Sequence, residues 1–117
     1  MPTIDNQPAT LSEFLAAQEL RKLNISFVFQ KSFLGGRTTT GGLVADFYLP
    51  GYSMVISVLG TYWHSTPEVR AKDIVQKLAL ASDGIATIFI LEVDIMRNAS
   101  YYIIEALRGI SHAGIKI

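Results

Sequence analysis

The 117-residue sequence contains no cysteine, which excludes disulfide bonds and any zinc site built from thiolates. It also has no excess of either charge, because ten lysines and arginines balance ten aspartates and glutamates. A domain that binds nucleic acid usually carries a basic excess, since phosphate contacts dominate its affinity. The balance therefore argues against tight DNA binding over a broad surface and leaves a local basic stripe open. A cysteine-free chain also fits a cytoplasmic location.

Long hydrophobic runs are absent as well. One of the longest, residues 85–91, is far too short to cross a bilayer, and no basic-then-apolar leader opens the chain. Half of the residues are nevertheless hydrophobic and only 17% are charged, which is more apolar than a typical soluble domain. We therefore expect no membrane contact, and we expect a homo-oligomer or an assembly subunit that buries the surplus apolar surface.

The length predicts a single domain. Residues 1–10 are polar, contain two prolines and predict a loose N-terminal arm. The periodic apolar pattern that predicts a folded domain extends over residues 11–108. Residues 109–117 form a glycine-flanked C-terminal tail, in which His112 is expected at the surface.

Hydrophobic periodicity and turn residues predict an alternation of helices and strands. The predicted elements are a helix capped by Ser12 and ending near Asn24, strands at 25–30, 43–49 and 54–59, a helix at 66–82, a strand at 85–91 and a helix at 99–108. A glycine-rich loop separates the first two strands, and Pro50-Gly51 joins the next two. This order predicts an α/β fold with a mixed sheet flanked by helices on both faces.

Two short stretches carry a family resemblance. Asp46 lies near the start of one hairpin strand, and the run Gly60-Thr61-Tyr62-Trp63-His64 follows the next. With the strand order, these stretches resemble the PD-(D/E)XK, or restriction-endonuclease-like, superfamily, and most nearly the very-short-patch mismatch-repair endonucleases and their small relatives. The resemblance covers about residues 11–105 and implies an αβββαβ core.

The resemblance also implies a metal site. Asp46 would ligate a divalent cation, Mg²⁺ or Mn²⁺, and the carbonyl of Val58 would be a further ligand. His64 would act on the attacking water or the leaving group, and Glu13 would support the site from the first helix. Structural alternatives stay open: Asp46 pairing with an arginine, His64 as a packed ring, and Glu13 as a solvated surface residue.

DNA is the partner that the resemblance implies. Tyr62 and Trp63 would lie near it, where aromatic rings stack on or wedge between bases; a core or interface position is their alternative. Arg70 and Lys77, seven residues apart, would share a helix face and form a modest phosphate-contacting stripe, and Arg37 in the glycine-rich loop is a further expected DNA contact. Ordinary solvated surface is the alternative for these three.

The sequence departs from the family pattern at three positions. Most members have glutamate at the position of Ser57 and lysine or another polar group at that of Leu59. The repair endonucleases have a histidine where Leu59 stands and a zinc-binding cysteine where Thr61 stands, so no zinc is expected. Acidic residues elsewhere, such as those at 73, 92 and 94, offer substitute carboxylates, although the position at 94 also suits a helix cap.

Two functions therefore stay open. The first is a metal-dependent DNA endonuclease that hydrolyses phosphodiester bonds in repair, recombination or phage DNA processing. The second is a catalytically inactive nuclease-fold protein that serves as a DNA-binding or structural subunit, for instance in a phage particle. The expected location is the cytoplasm, or a virion for a phage protein. A fold alone does not decide between them.

Overall fold

The computed structural model describes residues 2–33, 43–60 and 67–112. For residues 43, 44, 67–70, 72 and 73 it describes the backbone alone. Its elements are β1 (Thr3–Ile4), β2 (Gln7–Pro8), α1 (Leu11–Lys22), β3 (Val28–Phe33), β4 (Leu43–Leu49), a 3₁₀ turn (Pro50–Tyr52), β5 (Met54–Leu59), α2 (Pro67–Ser82), β6 (Ala86–Leu91) and α3 (Glu92–Leu107). Within these ranges, no helix combines the length and the apolar character that crossing a membrane requires.

A mixed four-stranded sheet, in the order β3-β4-β5-β6, forms the centre of the fold. β3, β4 and β5 pair antiparallel, and β6 joins β5 in parallel after the crossover through α2. β5 and β6 are almost entirely apolar, as strands covered on both faces are. The predicted α/β class and the mixed sheet are confirmed, although β3 begins at Val28 rather than at residue 25.

Helices cover both faces of the sheet. Leu20 of α1 and Ile103 of α3 are fully buried in the main core together with Phe47 and Ile56 of the sheet. α2 covers the opposite face, which is the arrangement that the pattern of elements predicts.

α2 buries one leucine against the sheet and leaves other apolar residues exposed. Leu80 is 3% exposed and packs against Ala45 and Val55. Leu78 is 51% exposed, and Val75 one turn earlier is 64% exposed. The apolar pattern of α2 therefore covers more of the helix surface than the sheet buries.

The first ten residues are packed rather than loose, which corrects the expectation of a free arm. β1 and β2 pair antiparallel around Asp5 and Asn6, which both have positive φ as in a tight two-residue hairpin turn. Ile4 is fully buried in the main core, and Ala9 is 4% exposed. Two short strands carry too little periodicity for this packing to be visible in the sequence.

α1 begins with a reciprocal cap at Thr10, not at Ser12. Glu13 N donates to Thr10 Oγ1 at 3.2 Å, and Thr10 N donates to Glu13 Oε1 at 2.9 Å, which together form a capping box. Ser12 lies inside the first turn and is buried. The carboxylate of Glu13 thus serves as part of the helix cap.

α3 begins at Glu92, seven residues before the predicted start. Asn98 has extended backbone angles inside it, and its Oδ1 accepts a hydrogen bond from Tyr101 N at 3.1 Å, so the second half of the helix has its own cap. The sequence pattern revealed only that second half. Asp94, considered as a cap, lies in the first turn, where its Oδ1 accepts from Arg97 at 2.8 Å.

The described part of the C-terminal tail turns back onto the body. Ser111 Oγ donates a 3.0 Å hydrogen bond to the carbonyl of Phe89 in β6. The ring of His112 lies 5.4 Å from that of Tyr102, and its Nε2 is 3.5 Å from Glu105 Oε1. Residues 109–112 therefore belong structurally to the domain.

Candidate active site

Asp46 lies where the described ladder between β4 and β5 ends. That ladder extends from Leu49 opposite Met54 to Phe47 opposite Ile56. One residue further, Asp46 Oδ2 accepts a hydrogen bond from the backbone N–H of Val58 at 2.8 Å, in a partly buried position. A side-chain carboxylate therefore joins the two strands at this end of the sheet.

The strands are distorted at the same point. Ala45 and Phe47 are both buried but pack on opposite faces of the sheet, whereas residues two apart on a regular strand share a face. On β3, Gln30 occupies the register position opposite Asp46 and has φ of 59°. Positive φ is uncommon outside glycine, and such strained backbone tends to cluster at functional sites. The distortion thus aims the Asp46 carboxylate across the sheet towards β5.

The carbonyl of Val58 lies on the same side as its N–H. Residues of a strand direct both main-chain groups to one neighbour, and the N–H of Val58 points to Asp46 on β4. The gap between the two strands therefore receives a carboxylate and a main-chain carbonyl. These are the oxygen donors that Mg²⁺ prefers, and Mn²⁺ accepts them as well.

Glu92 brings a second carboxylate to the end of the sheet. It is the first residue of α3, directly after Leu91, which pairs in parallel with Leu59. Its Oε2 lies 3.5 Å from the position that a Cβ on Gly60 would occupy. The positive end of α3 favours a negative charge there. Of the substitute carboxylates that the sequence offers, the structure favours Glu92 over Asp94, which is bound to Arg97.

Glu13 lies in the first turn of α1, and its carboxylate is bonded within the cap of that helix. The C-terminal end of α1 lies near the β4–β5 turn, since Leu23 and Asn24 line one groove with Gly51 and Tyr52. No described contact joins Glu13 to Asp46. Among the described side chains, no three acidic or histidine groups come close enough together to hold a metal ion.

Leu59 is a core residue. Its exposed fraction is 8%, and it packs with Phe89 and Leu91 on β6. Leu59 thus contributes a hydrophobic contact to the core at this end of β5. Ser57, two residues earlier, is half-buried.

Several of the predicted site residues fall outside the described part of the chain. These are His64, Tyr62 and Trp63 within residues 61–66, and Arg37 within residues 34–42. Arg70 belongs to α2, of which only the backbone is described at that point. Lys77 is half-buried on α2, and no described carboxylate lies within 4.0 Å of its amine.

Comparison with solved structures finds a similar fold in a nuclease domain. The chain is similar to the catalytic domain of the homing endonuclease I-Bth0305I, with a TM-score of 0.59 and 22% identity, over 83% of this chain and 93% of that domain. The fold is endonuclease-like. No protein-family model and no curated protein matches the sequence. Within this endonuclease-like fold, the specific resemblance to very-short-patch repair enzymes stays a prediction.

Proposed function

We propose that the protein is a metal-dependent DNA endonuclease that hydrolyses phosphodiester bonds. The observation that carries the proposal is the carboxylate of Asp46, fixed by the N–H of Val58 at the end of a sheet with an endonuclease-like fold. A role in repair, recombination or phage DNA processing belongs to the same proposal, and so does the specific resemblance to the very-short-patch mismatch-repair endonucleases.

The donor set at this end of the sheet fits a hard divalent cation. Asp46, the Val58 carbonyl and Glu92 are all oxygen donors, and Mg²⁺ usually takes one or two carboxylates together with water. A bound Mg²⁺ or Mn²⁺ would polarise the phosphate and make a bound water more acidic. The hydrogen bond from Val58 to Asp46 holds the carboxylate in one orientation before any ligand binds.

The other proposed roles follow the family resemblance. His64 would serve as the general base or would protonate the leaving oxygen, since histidine titrates near neutral pH. Glu13 would support the site from the start of α1. For DNA, the proposed contacts are the aromatic pair Tyr62 and Trp63 and the basic side chains of Arg37, Arg70 and Lys77.

A second candidate is a nuclease-fold subunit without catalysis, acting in DNA binding or in assembly. It is favoured by the buried Leu59 and by apolar residues that the described structure leaves exposed on two helices. On α2 these are Val75 and Leu78, and on α3 they include Val93 and Met96, which are 55% and 48% exposed. Exposed apolar patches commonly mark interaction surfaces.

Calorimetric titration with Mn²⁺ and Mg²⁺ separates the two candidates when it is combined with cleavage assays on duplex, mismatched and branched DNA. The decisive variant is Asp46→Asn, which keeps an oxygen acceptor for Val58 but removes the charge. Asp83→Asn is the matched control, because Asp83 is exposed in the turn after α2, away from the site.

An endonuclease is expected to bind Mn²⁺ and cut DNA as wild type and as Asp83→Asn, and to lose both properties as Asp46→Asn. If the wild type neither binds the ions nor cuts any of the substrates, the enzymatic proposal is wrong. Cleavage that persists unchanged in Asp46→Asn would show that the active site lies elsewhere.

A further inference from the structure

The four strands of the central sheet carry two charged side chains, Lys31 on β3 and Asp46 on β4. All the other residues of these strands are uncharged. Both charges occur on neighbouring strands and at almost the same level, since Lys31 pairs with Ala45, the residue before Asp46. Within the described strands, the single cation thus occurs one register position away from the single carboxylate.

Lys31 has a defined position on its strand. Its side chain is half-buried, and Nζ lies 5.9 Å from the centroid of the Phe33 ring. Phe33 in turn makes an edge-to-face contact with Tyr48, at 5.4 Å between ring centroids. The aliphatic part of Lys31 is thereby held on the sheet while its amine remains near the end that carries Asp46.

The amine of Lys31 has no described acidic partner. No described carboxylate, that of Asp46 included, lies within 4.0 Å of Lys31 Nζ. The contrast with Lys22 is direct, since Lys22 pairs with Glu19 at 3.1 Å on the surface of α1. Within the described part of the chain, the three N–H donors of Lys31 are thus available for an anion.

We infer that Lys31 binds a phosphate of the DNA backbone beside Asp46 and positions the strand for cleavage. The inference rests on the proposed endonuclease function and adds to it a substrate-positioning residue. With Leu59 buried on β5, the described part of that strand offers no cation for the negative phosphates. Lys31 supplies that charge from the far side of β4, as a point charge suited to phosphate.

A purely structural role is the alternative, because lysine on an outer strand also discourages edge-to-edge pairing. Two substitutions separate these roles. Lys31→Met keeps the stem that packs on Phe33 but removes the charge, and Lys31→Arg keeps the charge. Lys22→Met is the matched control, since it makes the same chemical change at an exposed and already paired lysine.

The test is fluorescence anisotropy with a labelled random-sequence DNA duplex in EDTA, at several salt concentrations. The same proteins are assayed for cleavage in Mg²⁺, and urea unfolding verifies that each variant is folded. A phosphate contact predicts roughly tenfold weaker binding by Lys31→Met than by Lys22→Met. It also predicts that the slope of log affinity against log salt falls by about one, with recovery in Lys31→Arg.

Equal affinity and equal salt slope in Lys31→Met and Lys22→Met would overturn the inference, and so would a wild-type protein that does not bind the duplex. Cleavage by the wild type in Mg²⁺ reports separately on the endonuclease proposal. An active enzyme with an unchanged Lys31→Met variant would therefore refute the role of Lys31 and leave the proposed function intact.

Discussion

The backbone N–H of Val58 donates a 2.8 Å hydrogen bond to the carboxylate of Asp46, twelve residues earlier in the chain. The bond has two consequences, since it ties β5 to β4 beyond their described ladder and fixes the orientation of a carboxylate that is a candidate metal ligand. Its structural and chemical contributions can be measured apart, because the amide of asparagine accepts a hydrogen bond but carries no charge.

For Asp46 we predict different effects of alanine and asparagine on stability. Asp46→Ala leaves the partly buried N–H of Val58 without this acceptor, and we expect a loss of about 1–3 kcal/mol in the free energy of unfolding. Asp46→Asn should lose less than about 1 kcal/mol, because an acceptor remains. Urea unfolding measures both values, and equal losses would show that the hydrogen bond contributes little to stability.

For Glu92 we predict a chemical effect with little structural cost. Glu92→Gln keeps the size of the side chain near Gly60 and removes its charge, so Mn²⁺ affinity and cleavage should fall. The free energy of unfolding should fall by no more than about 1 kcal/mol, the usual contribution of a charge at a helix end. Calorimetry and cleavage assays test this, with Glu19→Gln on α1 as the control. Wild-type Mn²⁺ affinity in Glu92→Gln would exclude Glu92 from the metal site.

Glu13 caps α1 in the structure and is also proposed to support the metal site. The two roles predict different effects of substitutions on stability and on DNA cleavage. If Glu13 acts only in the capping box, Thr10→Ala and Glu13→Gln should each lose about 1 kcal/mol or less and retain cleavage. A site role predicts that Glu13→Gln loses cleavage although its amide can still cap the helix. In that case Thr10→Ala, which removes only the cap, should still cleave DNA at any temperature at which it is folded.

Tyr101 is predicted to ionise at unusually high pH. Its hydroxyl donates to Glu105 Oε1 at 3.3 Å, and the negative charge of Glu105 raises the pKa of the phenol above its ordinary value of 10.0. The contact therefore stabilises the fold fully below the ordinary pKa, and this contribution is lost as the pH rises through the higher folded-state pKa.

The ultraviolet absorbance of phenolate measures this effect. Subtracting the titration of Tyr101→Phe from that of the wild type isolates the signal of Tyr101 among the five tyrosines. In Glu105→Gln the midpoint of that signal should move to lower pH. An unchanged midpoint would show that Glu105 does not set the pKa of Tyr101.

The parts of the fold with strong local signals were predictable. β4 and β5 have the predicted bounds, because apolar residues alternate or run continuously on either side of Pro50 and Gly51. Phe27 and Phe29 alternate as the residues of a strand do, and both rings lie 5.3 Å from that of Phe47. In these segments local propensity and tertiary packing agree.

Other features depend on contacts that periodicity does not encode. The burial of Ile4 requires a two-residue strand to meet the main core, and the start of α3 is hidden by the break at Asn98. For the site, Asp46 could be selected from its place in a motif, whereas Glu92 and Lys31 gain significance only through strand register. A useful signal for Lys31 was present in the sequence, as a single cation within an otherwise uncharged strand.

The hydroxyl of Ser111 has a consequence for self-association. β6 is an outer strand of the described sheet, and outer strands can recruit a strand from another molecule through their unpaired main-chain groups. Because Ser111 occupies the carbonyl of Phe89, a second copy that added a strand there would first have to displace part of the chain's own C-terminal segment. The segment after α3 thus competes with any added strand for the main-chain carbonyl of Phe89.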